Sequence, residues 1–96
     1  MKTIYKYEIP WNSEDPNGFT LPVKFAARPR HLQEQLGKLY MWAEVETESM
    51  DTEWTFFVVG TGHEIAEPHD SEYVGTWTPS AIIPTGALVL HLYRLT

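Results

Sequence analysis

The sequence predicts an all-β fold, a small antiparallel β-sandwich or partly open barrel, and three observations carry that prediction. Apolar residues recur with a period of two in several separate segments. Turn formers, chiefly Gly, Pro, Asn, Asp and Ser, fall between those segments at short intervals. Only the stretch 29–37 carries the marks of a helix, and it is short.

Lys2 to Ile9 alternates, with Tyr5, Tyr7 and Ile9 on one face and Lys2, Lys6 and Glu8 on the other, as a half-buried strand requires. Pro10 ends it. The run Asn12-Ser13-Glu14-Asp15-Pro16-Asn17-Gly18 reads as a loop, and Phe19-Thr20-Leu21-Pro22-Val23 as a second strand. Pro22 has no N–H to give a neighbour, so that strand belongs at an edge.

Residues 28–38 read two ways. Pro29 in a first turn, Leu32 and Leu36 four apart, and Gly37 just beyond spell a short helix. A strand entering a tight turn at Leu36-Gly37-Lys38 also fits; the pattern leans to the helix. Leu39, Met41, Ala43 and Val45 then alternate against Tyr40, Trp42, Glu44 and Glu46, which predicts a strand with one buried face. After a polar connection, Glu53 to Gly60 has the β-branched and aromatic content of a central strand, and the two strands are expected to pair as a hairpin.

Gly60-Thr61-Gly62-His63 opens a turn, and a polar loop runs on to Ser71, with Ile65 expected to dip into the core. Tyr73 to Trp77 is a short strand bounded by Pro79, and residues 81–85 are a loop or a brief edge strand. Ala87 to Leu95 closes the chain as a strand, with Leu88, Leu90 and Leu92 on one face and Val89, His91 and Tyr93 on the other.

Ninety-six residues make one domain, 1–96, and aromatic residues at 14% supply a core without staples. There is no Cys, which excludes disulfides, thiolate metal sites and cysteine nucleophiles. The first residues lack the apolar run of a signal peptide, and no stretch approaches a membrane span, so a cytoplasmic location is expected.

The net charge of −6 is unevenly spread. Between Lys38 and Arg94 there is no Lys or Arg, while Glu44, Glu46, Glu48, Asp51, Glu53, Glu64, Glu67, Asp70 and Glu72 lie in that interval. Phosphate contacts need cations, so direct nucleic-acid binding through this part is disfavoured and a partner protein with a basic surface is favoured. A solvated acidic surface that keeps the protein soluble accounts for the same charges.

Chemistry-bearing motifs are few. His63-Glu64, Glu67 and His69-Asp70 form the densest group of metal-ligand types, but Pro68 and the loop composition remove the helical geometry of a zinc motif, so no metal and no cofactor are expected. Gly60-Thr61-Gly62 lacks the Lys and the following helix of a phosphate loop. No Ser sits in a strained elbow, and Glu44 and Glu46 have no apolar pocket to separate acid from base, so no enzyme is expected. The better lead is the outward pair Tyr40 and Trp42 with Glu44, Glu46, Glu48, Asp51 and Glu53 nearby, a candidate partner surface unless a second sheet covers it. The alternatives are a small-ligand or nucleotide pocket from Gly60, Thr61, Gly62, His63, Trp77 and His91, and a structural assembly part of a virion. A homo-oligomer stays open.

One resemblance spans nearly the whole chain. Ile4-Tyr5-Lys6-Tyr7-Glu8, Leu39 to Val45 with Trp42-Ala43 at its centre, Val59-Gly60-Thr61-Gly62-His63 with Ile65, Tyr73-Val74-Gly75-Thr76 and Gly86-Ala87-Leu88-Val89-Leu90-His91 come in an ordered series. In them the chain resembles a family of short, functionally uncharacterised proteins found mainly in bacteriophages and prophages. The resemblance implies the context, a phage or prophage accessory protein in the host cytoplasm. The charge asymmetry motivates the expected role, binding of a host protein and inhibition of a nucleic-acid-handling defence complex, anti-CRISPR-like, by offering acid where that complex expects phosphate. The resemblance also implies a hairpin turning at a glycine between His31 and Trp42, against the helix. Arg28-Pro29-Arg30 departs from that pattern, and the short helix stays open there.

Overall fold

A computed structural model describes residues 1–11, 18–62, 65, 71–79 and 89–96. It contains β1 (Lys2–Ile9), β2 (Phe19–Lys24), β3 (Arg28–Gln35), β4 (Lys38–Glu46), β5 (Asp51–Gly60), β6 (Ser71–Trp77) and β7 (Leu90–Leu95). They form two antiparallel sheets, β1-β4-β3 and β2-β5-β7-β6. This is the sandwich-like all-β arrangement that the alternation predicts, and among the described residues no barrel closes.

The two sheets meet over one core because each presents its apolar alternates to the other. From the first sheet come Ile9, Leu39, Met41, Ala43 and Val45; from the second come Val23, Trp54, Phe56, Trp77, Leu90 and Leu92, all buried. Complete burial of a side chain such as Leu39 or Phe56 contributes about 1.5–3 kcal/mol. Among the described residues no polar or charged residue is buried as a whole. No helix is long and apolar enough to cross a membrane among them.

Three expectations are corrected. The short helix at 29–37 is absent: these residues are β3 and the turn that joins it to β4. The i to i+4 spacing of Leu32 and Leu36 misleads because the two do different work. Leu32 pairs with Met41 and packs on the core, whereas Leu36 stands fully exposed at φ 52 beside Gly37 at φ 81. Positive φ at both central residues is the condition for a tight hairpin turn. A bulge between Pro29 and His31 absorbs the awkward Arg28-Pro29-Arg30.

The second correction concerns β4 and β5, which do not pair as a hairpin. The chain crosses at 47–50 from one sheet to the other, so β4 pairs with β1 and β3 while β5 pairs with β2 and β7. Their buried faces meet across the core instead of side by side. Ile65 does not dip into the core either; it is exposed. Leu88 and the brief strand considered at 81–85 lie outside the described residues. β2 is an edge strand, as Pro22 requires, and β5 is internal, as its composition requires.

Candidate functional site

The outer face of the β1-β4-β3 sheet carries Tyr40, Trp42, Glu44 and Glu46 in a row, half exposed, because their neighbours Leu39, Met41, Ala43 and Val45 point into the core. The second sheet covers the other side, so the aromatic pair faces away from it. Register then brings the basic first third of the chain beside them. Lys6 lies opposite Trp42, and its ammonium stands 4.1 Å from the Tyr40 ring centroid and 5.4 Å from that of Trp42. Arg30 reaches Glu44 at 3.4 Å and Lys2 reaches it at 4.0 Å. Lys38 pairs with Glu8 at 3.7 Å. The N-terminal amine pairs with Glu46, and that hydrogen bond holds the Glu46 carboxyl below its ordinary value. The row is therefore an aromatic face of mixed charge, not an acidic one. Linear separation of Lys2, Lys6 and Arg30 from Glu44 and Glu46 hid this, because strand pairing joins segments far apart in sequence.

Glu48, Asp51 and Glu53 lie elsewhere. Glu48 is exposed in the crossing turn, and Asp51 and Glu53 are exposed on β5 against the edge strand β2. Asp51 and Glu53 line an open groove with Thr20, Leu21, Pro22 and Thr52. Beside them stand two residues that the alternation does not single out. Phe25 is 63% exposed and Met50 is 80% exposed, and the two belong to adjacent turns. The Phe25 N–H donates to the Met50 carbonyl at 2.8 Å, Lys24 Nζ donates to the Ser49 carbonyl at 2.9 Å, and Lys24 pairs with Asp51 at 3.5 Å. Ser49 Oγ donates to the Glu46 carbonyl at 2.8 Å. Ala26, between Phe25 and Ala27, holds φ at 60 without being glycine. The two turns are thus tied together, and both apolar side chains are displayed at low ordering cost. A large apolar residue between turn formers was the available signal, and it is weak on its own.

Arg94, the one Lys or Arg after Lys38, does not offset the acids of this sheet at the surface. Its guanidinium lies 3.4 Å from the centroid of the Trp54 ring, on the inward side of β7. Burial pushes its pKa below the ordinary value for a guanidinium, and the charge of Glu72 pulls it the other way.

The residues considered for a small ligand are divided. Thr76 lies opposite His91 on the outer face of the second sheet, while Trp77 lies opposite Leu90 and is buried with Trp11 at 5.6 Å between ring centroids. His91 Nδ1 bonds Thr76 Oγ1 at 2.9 Å and its Nε2 bonds Thr61 Oγ1 at 2.8 Å. Tyr73, whose hydroxyl bonds Thr76, packs edge-on to Tyr93, which stacks on Phe57. Gly60 pairs with Leu90 and Gly62 turns at φ 86. His63 lies outside the described residues, as do Glu64, Glu67, His69 and Asp70. Among the described residues no group of three or more His, Asp or Glu could hold a metal ion.

The chain belongs to a family described as a domain of unknown function, DUF7352, which matches residues 1–96. No curated protein matches it, and no solved structure does.

Proposed function

We propose that this member of the DUF7352 family is a non-catalytic protein-binding module. It engages a basic surface on a partner protein with the end of the sandwich that carries Phe25, Met50, Glu48, Asp51 and Glu53. The observation that carries the reading is the pair of exposed apolar side chains on turns bonded to one another, with exposed carboxylates alongside. Exposed anchors on rigid turns lose little conformational freedom on binding, and a ring of acid steers a basic partner. Tyr40 and Trp42 offer a second apolar surface on the neighbouring sheet, with its charges already paired.

The likeness to short phage and prophage proteins supplies the setting of the proposal. The partner in that setting is a nucleic-acid-handling defence complex of the host, met in its cytoplasm, with carboxylates standing where the complex takes phosphate.

The test compares affinity capture by the native chain and by a Phe25→Ser, Met50→Ser double variant, at low and high salt. A protein held by the native chain, lost with the variant and weakened by salt supports the reading. Equal capture by both chains, or none by either, rejects it.

A further inference from the structure

Among the described residues each sheet has two edge strands, and three of these four edges carry a device that blocks further pairing. β2 contains Pro22; β3 contains Pro29 and a bulge before His31; β6 has a bulge between Tyr73 and Gly75. β1 has none. Its eight residues, Lys2–Ile9, contain no Pro and no Gly and pair in unbroken register with β4 along their whole length. At this edge Ile4 is 51% exposed and Tyr5 is 37% exposed.

The direction of the free backbone groups follows from one bond. The Thr47 N–H donates to the Met1 carbonyl at 3.0 Å, one step beyond the Lys2 and Glu46 pair. In an antiparallel ladder hydrogen-bonded pairs alternate, so Thr3, Tyr5, Tyr7 and Ile9 turn their N–H and C=O toward β4. Lys2, Ile4, Lys6 and Glu8 turn theirs outward, where none of the described strands meets them. Such a row of unpaired groups is a template for another strand.

We infer that β1 pairs antiparallel with β1 of a second copy, about a two-fold axis at Tyr5. The strand is self-complementary in that register. Lys2 comes opposite Glu8 of the second copy, and Ile4 comes opposite its Lys6; both are pairs whose free N–H and C=O face each other. Tyr5 meets its own symmetry mate in a non-hydrogen-bonded pair, the kind in which side chains lie closest. Two cross-strand Lys–Glu pairs form per dimer, and the isologous contact closes without a further free edge. In the single chain Lys2 reaches the half-buried Glu44 at 4.0 Å and Glu8 the exposed Lys38 at 3.7 Å, long contacts made by exposed side chains, so sharing Lys2 and Glu8 across the axis loses little. The result is a six-stranded sheet, β3-β4-β1 continued by β1-β4-β3 of the second copy.

Sedimentation equilibrium of the full chain tests this. The native protein should have twice the 11.1 kDa chain mass. Lys2→Glu and Glu8→Lys should each weaken the dimer at least about tenfold, and an equimolar mixture of the two should recover a mixed dimer, since each then supplies the charge that the other lacks. Ile4→Pro removes an outward N–H without touching the β4 ladder and should leave a folded monomer. The chain lacks Cys, so oxidation gives a second readout. Tyr5→Cys should form a symmetric disulfide, its Cα atoms about 4.5 Å apart. Thr3→Cys, roughly 13 Å from its mate in this register, should not. A native chain that stays monomeric at about 0.5 mM overturns the inference, as does a dimer that both charge reversals and Ile4→Pro leave unchanged.

Discussion

Gly75 on β6 faces Leu32 on β3 so closely that a Cβ at position 75 would stand 2.8 Å from Leu32 Cβ and 3.0 Å from its Cδ2. Side-chain carbons do not approach to 2.8 Å, so this one glycine sets how near the two sheets come along that edge. Gly75→Ala should therefore lower stability by about 1–3 kcal/mol, read as a fall in the thermal midpoint by circular dichroism. Placing it with Leu32→Ala relieves the Cδ2 approach but keeps the Cβ one, so the double variant should recover only part of the loss. Full recovery would locate the strain elsewhere.

Leu36 holds φ at 52 with its side chain wholly in water, so its conformation costs energy that no burial returns. Asn adopts this region more readily and suits the first position of a two-residue hairpin turn before glycine. Leu36→Asn should stabilise by about 1 kcal/mol. The check is a urea titration in which the midpoint rises while the slope stays constant.

Arg94 covers the Trp54 ring with a planar cation. Lys has the charge but not the plane, so Arg94→Lys should lose about 1 kcal/mol of stability although net charge is unchanged. Arg94→Met restores apolar contact with the ring and removes a charge whose burial is unfavourable, so its loss should be smaller than that of Arg94→Ala. Thermal melts of the three variants order them.

Glu44 holds Arg30 and Lys2 at the surface. Exposed ion pairs in water contribute little, so Glu44→Gln should change stability by less than about 1 kcal/mol, and by still less at high salt. A larger loss in denaturant titrations would mean that these pairs hold the sheet together and do not merely balance its charge.

Much of the fold was legible in local pattern. The alternation of Leu39, Met41, Ala43 and Val45 places β4 and its buried face, the content of residues 53–60 places β5 inside a sheet, and Pro22 puts β2 at an edge. Two matters were not legible. Leu32 and Leu36 share a helical spacing by accident, and only the positive φ at Leu36 and Gly37 separates a hairpin from a helix there. The connection at 47–50 reads as a hairpin because turn composition does not record whether the next strand lies beside the last or across the core. The same limit governed the site. Charges were visible as a distribution along the chain, but their neutralisation around Glu44 depends on which strands adjoin. Phe25 and Met50 belong to no alternation, and only their exposure singles them out.

The crossing at 47–50 also bears on how quickly the chain reaches its structure. Because β4 and β5 do not pair, β1 must wait for β4, β2 for β5 and β5 for β7, each closing a long stretch of intervening chain before gaining contacts. Only β3 and β4 are joined by a turn as short as Leu36-Gly37. Such nonlocal pairing is the topology of slow folders, with relaxation in milliseconds to seconds. The β3–β4 hairpin is the piece able to form first, so the residue at position 36 should change the folding rate more than the unfolding rate.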